Sequence, residues 1–232
     1  MTRKQYKAIF FDLDHTLWDF DTNSSEALRE LHRAYGLQHK GVALDEFLRT
    51  FKRINTQLWH QYDSGQIPQD TIRKQRFHRI LLEHNIDEYE MSLQFSQDYV
   101  SQSPKKKNLI PHAHSVLEYL HPKYPLHIIT NGFSEIQAIK MTSSGILHFF
   151  SSVVTSEKAG HKKPSKEIFE FALDENGLDA SEVVMIGDNL VTDIGGAQAA
   201  QLDTVYFNPE RIPHEQAVTY EIASLSELKS IL

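Results

Sequence analysis

The sequence predicts an α/β fold: a parallel sheet covered by helices on both faces and interrupted, after its first strand, by a helical insert. Two observations support this prediction. Short apolar runs alternate with helical segments near both ends of the chain, whereas residues 21–103 carry apolar residues at helical spacing and almost no strand pattern. With 232 residues, the chain is long enough for a core domain that carries a smaller inserted one.

Five short apolar runs are the candidate strands of the sheet. They are Ala8–Phe11, Leu126–Ile129, Val153–Val154, Val183–Ile186 and Thr204–Phe207. Between the later runs lie three helical patterns, at Ser134–Ser143, Ser165–Asn176 and Thr192–Ala200. Strands that alternate with helices in this way predict parallel strand pairs and helices on both faces of the sheet.

The insert after the first strand is predicted to be a helical bundle of its own. Its clearest helix runs between Leu44 and Tyr62, where apolar side chains at three-and-four spacing form one stripe. We therefore expect residues 1–18 and 105–232 to form the α/β core domain and residues 19–104 to form the inserted domain.

Composition excludes several functional classes. The formal net charge of −7 gives no broad basic field, so a nucleic-acid polymer is not expected as a partner. The absence of cysteine excludes disulfides and thiolate zinc sites, in keeping with a reducing compartment. No apolar run approaches the ~20 residues of a membrane span, and the first residues show no signal-peptide pattern. We expect a soluble cytoplasmic protein that does not bind membranes.

Polar residues follow three of the candidate strands at the point where each strand ends. Asp12 follows the first strand, Thr130 the second and Asp188 the fourth. Ligands of open α/β sheets bind beyond the carboxyl ends of the strands, so these three groups are expected to face one site. A single Asp or Thr at such a position is usually a strand-end cap, but the coincidence of three predicts a functional site.

The acidic residues of this predicted site favour a divalent cation. Asp12 and Asp14 lie two residues apart, and like charges this close repel unless a cation lies between them or one is protonated. The loop from Gly187 to Asp193 supplies further carboxylates. A set of carboxylates, a carbonyl and waters suits octahedral Mg²⁺ better than zinc.

Two further segments are candidates for phosphate binding. Thr130, Asn131 and Gly132 place a hydroxyl and backbone amides directly before a predicted helix, an arrangement that favours an anion. An ordinary strand-to-helix turn explains this tripeptide equally well. Lys163 precedes Pro164 at the start of another helix, where a solvated charge is the usual role for lysine.

Together these motifs resemble those of the haloacid dehalogenase-like hydrolases. The resemblance is carried by Asp12-x-Asp14-x-Thr16, Thr130, Lys163 and Gly187-Asp188-x4-Asp193, which occur in the family's order and approximate spacing. It implies a Rossmann-like core, and it identifies the helical insert with the family's first type of cap domain. It also implies an enzyme that hydrolyses phosphoric monoesters with Mg²⁺ as cofactor.

The resemblance also implies a role for each motif residue. Asp12 would be the nucleophile and form an aspartyl-phosphate, while Asp14 would act as general acid and base. Mg²⁺ would be held by the Asp12 side chain, the Asp14 carbonyl and Asp188. The phosphate oxygens would be bound by Thr130, Lys163 and the amides near Asn131 and Gly132, with Asp193 orienting Lys163 or the metal ligands.

Within this family, the chain most resembles the pyrimidine 5′-nucleotidases that act on standard and non-standard nucleoside monophosphates. Supporting stretches are Phe11–Leu17 with Phe20-Asp21, Leu58-Trp59-x-x-Tyr62-x-x-Gly65-x-Ile67, Arg76-Phe77 and Ile129–Phe133. A nucleoside monophosphate is therefore the expected substrate. Candidate base contacts are Trp18, Phe20, Trp59, Tyr62 and Phe133, although aromatics at helical spacing more often serve packing.

Other functions stay open at this stage. A phosphatase of sugar phosphates, a phosphosugar mutase, a phosphonate hydrolase and a non-catalytic phosphate-binding regulator would share much of this machinery. A dehalogenase would use the same nucleophile but would need neither Mg²⁺ nor Asp14. His112 and His114 lie two residues apart near a predicted helix start, so their rings should diverge, which favours a surface role over a metal site.

Overall fold

The structure, a computed structural model, describes residues 4–232 and separates them into two compact units. The core unit comprises the residues up to Phe20 together with Lys107–Leu232, and the helical unit comprises Asp21–Lys106. The chain passes from one unit to the other at 20/21 and 106/107, where the sequence predicts 18/19 and 104/105.

Helices occur in both units. In chain order they are α1 (Phe20–Ala34), α2 (Leu44–Asp63), α3 (Gln69–Glu83), α4 (Tyr89–Gln102), α5 (Ala113–Leu120), α6 (Ser134–Ser143), α7 (Ser156–Ala159), α8 (Lys166–Asn176), α9 (Gly196–Ala199) and α10 (Leu228–Ile231). Short 3₁₀ segments lie at Ser103–Lys105, Leu147–Phe149, Ala180–Glu182 and Leu225–Glu227. Across residues 4–232, no helix combines the length and the apolar character that a bilayer crossing requires.

The core unit is built on a six-stranded sheet in which all neighbouring strands are parallel. Its strands are β1 (Ala8–Phe11), β2 (Leu126–Thr130), β3 (Phe150–Thr155), β4 (Val183–Gly187), β5 (Asp203–Phe207) and β6 (Tyr220–Ile222). Their order across the sheet is β3-β2-β1-β4-β5-β6. The predicted fold class, a parallel α/β sheet, is confirmed.

Both faces of the sheet are buried, as the continuous apolar runs predict. Alternate residues of β1 point to opposite faces: Ile9 and Phe11 belong to one hydrophobic cluster, Ala8 and Phe10 to another. The first cluster includes α5, and the second includes α8 and Ala197 of α9. This double cover fixes the strands rigidly and leaves their carboxyl ends to carry polar groups.

Two parts of the core unit differ from the sequence-based expectation. The segment predicted as one helix over Thr192–Ala200 is a π-helical turn, Leu190–Gly195, followed by α9. The Asn189 side chain accepts hydrogen bonds from the backbone amides of Val191 and Thr192, which starts the turn earlier than apolar periodicity indicates. Strand β6 was not predicted, because its three residues form no apolar run.

The helical unit has its own aromatic core. Phe77 of α3 lies 4.7 Å from Phe95 of α4 and 5.2 Å from Tyr99, measured between ring centroids. Phe47 and Phe51 of α2 pack on the same group, at 5.7 Å from Phe95 and 6.0 Å from Phe77. These aromatic contacts hold α2, α3 and α4 together.

Candidate active site

The three polar strand ends predicted from the sequence meet at one edge of the sheet. Strand β1 lies between β2 and β4, and Phe11 is in register with Ile128 on one side and Ile186 on the other. The Asp12 amide continues the ladder by donating to the Ile186 carbonyl at 2.9 Å. Asp12, Thr130 and Asp188 therefore lie on neighbouring strands within one residue of the same level at the carboxyl edge of the sheet.

Lys163 connects two carboxylates at this edge. Its ammonium group donates to Asp12 Oδ1 and to Asp193 Oδ1, each at 2.6 Å, and its side chain is only 2% exposed. Burial opposes a charged lysine, but the two carboxylates outweigh it and raise the pKa of Lys163 above its ordinary value. Lys163 is therefore a fixed, permanently charged cation beside Asp12.

The carboxylates of Asp12, Asp188 and Asp193 lie within 4.8 Å of one another. Burial raises the pKa of Asp12 well above its ordinary range; the neighbouring Asp193 and Asp188 raise it further, while Lys163 opposes the change. Burial and Asp193 raise the pKa of Asp188 to about 7, although Thr16 Oγ1 donates to its Oδ1 at 3.0 Å. The single Lys163 cation thus leaves an excess of negative charge here.

The donor set of this cluster fits a hard divalent cation. Its ligands are carboxylate oxygens, which Mg²⁺ prefers, and a bound cation would relieve the repulsion that raises these pKa values. Asp193 is committed to other partners, because Oδ1 accepts from Lys163 and Oδ2 accepts from the Asn189 amide at 3.1 Å. Asp12 and Asp188 are therefore the better ligands, and Asp193 holds Lys163 in place.

Gly187, at the end of β4, allows Asp193 to reach this position. A Cβ atom on residue 187 would lie 2.3 Å from Asp193 Oδ2 and 2.5 Å from its Cγ. No side chain larger than hydrogen fits there unless the Asp193 carboxylate moves away from Lys163. The glycine before Asp188 is thus required by close packing.

The turn after β2 ties the Thr130 segment to Lys163. The Asn131 side chain donates to the Lys163 carbonyl at 2.9 Å and accepts from the Lys163 amide at 2.8 Å. Gly132 donates through its amide to Thr130 Oγ1 at 3.1 Å. The Asn131 side chain therefore fixes the lysine loop, and the phosphate-binding role expected at this residue belongs to its backbone amide.

Two residues of this site were missed in the sequence. Lys140 donates to both carboxylate oxygens of Asp14, at 2.6 and 2.8 Å, and Gln137 donates to Asp14 Oδ2 at 2.9 Å. Burial alone would raise the pKa of Asp14, but Lys140 and Gln137 together lower it below its ordinary value. Apolar periodicity could not have found them, because α6 buries Gln137 and Lys140 while it exposes Ile139, the reverse of an ordinary amphipathic helix.

The five aromatic candidates are divided between the two units. In the core unit, Trp18 is fully buried in a hydrophobic cluster, Phe20 lies 6.2 Å from its ring, and Phe133 is half-buried at the start of α6. Trp59 and Tyr62 lie next to each other on α2 of the helical unit, 5.7 Å apart. Phe133 is thus the partly exposed aromatic ring that directly follows the Thr130 turn.

A family profile described as haloacid dehalogenase-like hydrolase matches residues 6–201, which include every motif of the site. The chain belongs to the haloacid dehalogenase-like hydrolases. It is accordingly an enzyme, and the resemblance first noted from its four motifs is confirmed.

A solved structure with the same architecture is that of the HAD-hydrolase YfnB from Bacillus subtilis, described as bound to magnesium. It superimposes with a TM-score of 0.88 at 31% identity and covers 98% of this chain and 99% of that chain.

Relatives of similar length have different substrates in their names. Pyrimidine 5′-nucleotidase PynA from Streptococcus pneumoniae is 32% identical over 98% of this chain and 95% of the relative. Pyrimidine 5′-nucleotidase YjjG from Escherichia coli is 30% identical over 97% and 96%. A ribulose-1,5-bisphosphate 5-phosphatase from Halopiger xanaduensis is also 30% identical, over 97% and 98%.

Proposed function

We propose that this phosphatase of the haloacid dehalogenase-like type hydrolyses nucleoside monophosphates, with pyrimidine nucleotides as preferred substrates. One observation carries the phosphatase chemistry: Asp12, Thr130, Lys163 and Asp188 converge on one edge of the sheet. The similarity to two pyrimidine 5′-nucleotidases over nearly the whole chain supports the choice of substrate.

Asp12 is the proposed nucleophile. Its Oδ1 is held by Lys163 at 2.6 Å, which leaves Oδ2 to attack phosphorus. Attack forms an aspartyl-phosphate and breaks the bond from phosphorus to the leaving oxygen. Hydrolysis of this intermediate by water then releases phosphate and regenerates Asp12.

Asp14 is the proposed general acid and base. In the first step it gives a proton to the leaving oxygen, and in the second it takes one from the attacking water. Lys140 favours the ionised carboxylate, the form needed in the second step. Negative charge on a bound phosphate raises the pKa of a nearby carboxyl and so favours the acid form needed in the first.

The phosphate would be held by Thr130 Oγ1, the Lys163 ammonium group and the amides near Asn131 and Gly132. Mg²⁺, bound by Asp12, Asp188 and the Asp14 carbonyl, would neutralise charge between the nucleophile and the phosphate. Support for Mg²⁺ comes from the all-oxygen cluster and from the magnesium-bound relative.

The helical unit is proposed to act as the cap domain that selects the substrate, and Phe133 is proposed as a base contact from the core unit. Phosphomonoesters of sugars are the second candidate substrates, because a ribulose-1,5-bisphosphate phosphatase is as similar as one of the nucleotidases.

A phosphate-release screen separates these substrate classes. Purified protein is assayed with Mg²⁺ against pyrimidine and purine nucleoside monophosphates and against sugar phosphates. We expect the highest kcat/KM for a pyrimidine nucleoside monophosphate. A higher value for sugar phosphates would overturn the nucleotidase assignment, and no release from any phosphomonoester would overturn the phosphatase assignment as well.

A further inference from the structure

Helix α6 directs two polar side chains into the core unit from one face. Gln137 and Lys140 are three residues apart, so they lie side by side on the helix surface. They are only 0% and 6% exposed, and both are bound to Asp14. Burial of an amide and an ammonium group is costly unless hydrogen bonds to protein groups replace those lost with water.

Lys140 fixes the orientation of the Asp14 carboxylate. Its ammonium group contacts both oxygens, at 2.6 and 2.8 Å, and lies 4.6 Å from the centre of the buried Trp18 ring. The carboxylate engages the cation through both oxygens, and Trp18 limits the positions open to the lysine. Rotation of Asp14 about its side-chain bonds would break at least one of these contacts.

Gln137 joins Asp14 to Thr130. Its Nε2 donates both to Asp14 Oδ2 at 2.9 Å and to Thr130 Oγ1 at 2.7 Å. Its Oε1, by contrast, is buried and has no hydrogen-bond partner within the described residues 4–232. An unpaired buried acceptor is unfavourable, so the two donor contacts of Nε2 must be what fixes the orientation of this amide.

These contacts also orient the Thr130 hydroxyl. A hydroxyl oxygen has two acceptor positions, and here one receives the Gln137 amide and the other the Gly132 backbone amide at 3.1 Å. The hydroxyl proton is therefore left to point outward as a donor. Gly132 is part of the same packing, since a Cβ there would lie 2.3 Å from Gln137 Nε2.

We propose that Gln137 and Lys140 are positioning residues of the active site: Lys140 orients Asp14 for proton transfer, and Gln137 orients the Thr130 hydroxyl toward the phosphate while it ties Thr130 to Asp14. This inference rests on the proposed function, in which Asp14 is the general acid and base and Thr130 binds phosphate. If the pair had only a structural role, its loss would not selectively affect proton transfer to the leaving group or phosphate binding.

The test compares leaving groups. A nucleoside 5′-monophosphate, or whichever alkyl phosphate the wild type hydrolyses best, needs a proton on its leaving oxygen, whereas 2,4-dinitrophenyl phosphate does not. The parameter is kcat/KM, which reports the step in which the leaving group departs. The variants are Lys140→Met and Gln137→Leu, with Asp14→Asn as the reference for loss of the acid. Lys166→Met is the matched control, because it removes an exposed lysine–carboxylate pair of the same 2.6 Å length, with Glu170.

We expect Lys140→Met to lower kcat/KM for the alkyl phosphate by about 100-fold, near the lower end of a general-acid contribution, and for the aryl phosphate much less. Retained aryl phosphatase activity also shows that the variant is folded. Gln137→Leu should also lower kcat/KM more for the alkyl than for the aryl phosphate. Because it disturbs a phosphate contact that both substrates use, it should in addition lower the aryl value and raise the inhibition constant for inorganic phosphate, which Lys140→Met should leave nearly unchanged. Lys166→Met should match the wild type, and Lys140→Arg should recover part of the loss.

Equal loss on both substrates in Lys140→Met, or unchanged activity, would overturn the positioning role of Lys140. An unchanged phosphate constant in Gln137→Leu would overturn its role on Thr130. If Asp14→Asn itself fails to discriminate between the leaving groups, the acid role in the proposed function is wrong and the inference falls with it. A selective Asp14→Asn beside a non-selective Lys140→Met rejects this inference alone.

Discussion

Buried cations are treated differently in the two units. In the core unit, Lys163 and Lys140 each contact carboxylates at 2.6 Å, in pairs that hold the proposed catalytic residues. In the helical unit, Arg76 is equally buried, but its hydrogen bond goes to the neutral Asn55 at 3.0 Å. Its guanidinium lies over the rings of Phe51, Phe77 and Tyr99, at 5.7, 5.1 and 4.7 Å.

The contacts of the buried lysines in the core unit indicate a role in catalysis, whereas those of Arg76 indicate a role in packing. Burial lowers the pKa of Arg76, and none of its contacts is with a carboxylate in the part of the chain that the structure describes. Lys163, in contrast, has a raised pKa because two carboxylates surround it. Removal of a core cation should therefore affect catalysis strongly, and removal of Arg76 should affect mainly the packing of the helical unit.

The largest effect is expected from replacing Asp12, the carboxylate that Lys163 contacts. Asp12→Asn removes the anionic nucleophile while keeping its shape, so turnover should fall by about 10⁴-fold or more. Phosphate or substrate should still bind, which isothermal titration can check. A variant that keeps a substantial fraction of the wild-type rate would contradict the covalent scheme.

Lys163→Met should come next. It leaves Asp12 and Asp193 without their shared cation, so kcat should fall by about 10²–10³-fold, as for other lost electrostatic donors. Loss of one partner from a buried pair also costs about 3–5 kcal/mol, which chemical denaturation should show as a lower free energy of unfolding. Wild-type stability in this variant would show that the contacts of Lys163 with Asp12 and Asp193 do not stabilise the fold.

Asp188 should give a pH-dependent effect of intermediate size. Its folded-state pKa is about 7 against an ordinary value of 3.8, so the folded chain binds this proton more tightly than the unfolded chain. The resulting stabilisation is fully present below the unfolded value and is lost as the pH rises through about 7. Without metal, Asp188→Asn should therefore melt above the wild type at pH 8 and approach it at pH 5.

Mg²⁺ provides the control for this measurement. At pH 8 it should raise the melting temperature of the wild type and much less that of Asp188→Asn, because only the carboxylate both repels its neighbours and binds the ion. If the difference in melting temperature between the wild type and Asp188→Asn did not change with pH, the raised pKa of Asp188 would be contradicted.

Arg76→Met should have the smallest effect and serves as the control for Lys163→Met, since both replace a buried cation with methionine. The lost cation–π contacts and the relieved burial of charge oppose each other, so the free energy of unfolding should change by less than about 2 kcal/mol. Activity should stay near the wild-type value. A loss of kcat comparable with that of Lys163→Met would show that Arg76 acts in catalysis and would break the distinction between the units.

The sequence was most informative where chemistry follows a strand directly. Asp12, Thr130 and Asp188 were predicted to meet because parallel strands end at one edge, and the sheet brings them there. Residues that act through a helix were harder to find. Lys140 and Gln137 reach Asp14 across more than 120 positions of the chain, and only the three-dimensional packing of α6 brings them there.

The contacts and burial of individual side chains also could not be predicted from the sequence. The sequence predicts that the backbone amides near Asn131 bind phosphate, but it gives no sign that the Asn131 side chain brackets Lys163, because a tripeptide cannot reveal a partner 32 residues away. Trp18 was considered for base stacking, yet its position before the helical insert gives no sign that it is fully buried. Such outcomes depend on which neighbours fill the space, and local periodicity does not encode them.

The most direct test of the proposed mechanism is detection of the covalent intermediate. Wild-type protein is mixed with substrate and Mg²⁺, quenched in acid within the first turnover, digested, and analysed by mass spectrometry. We predict one phosphoryl group on the peptide that contains Asp12 and none in Asp12→Asn. Rapid turnover with no phosphorylated Asp12 peptide at any quench time, or phosphate on another residue, would contradict the assignment of Asp12 as the nucleophile.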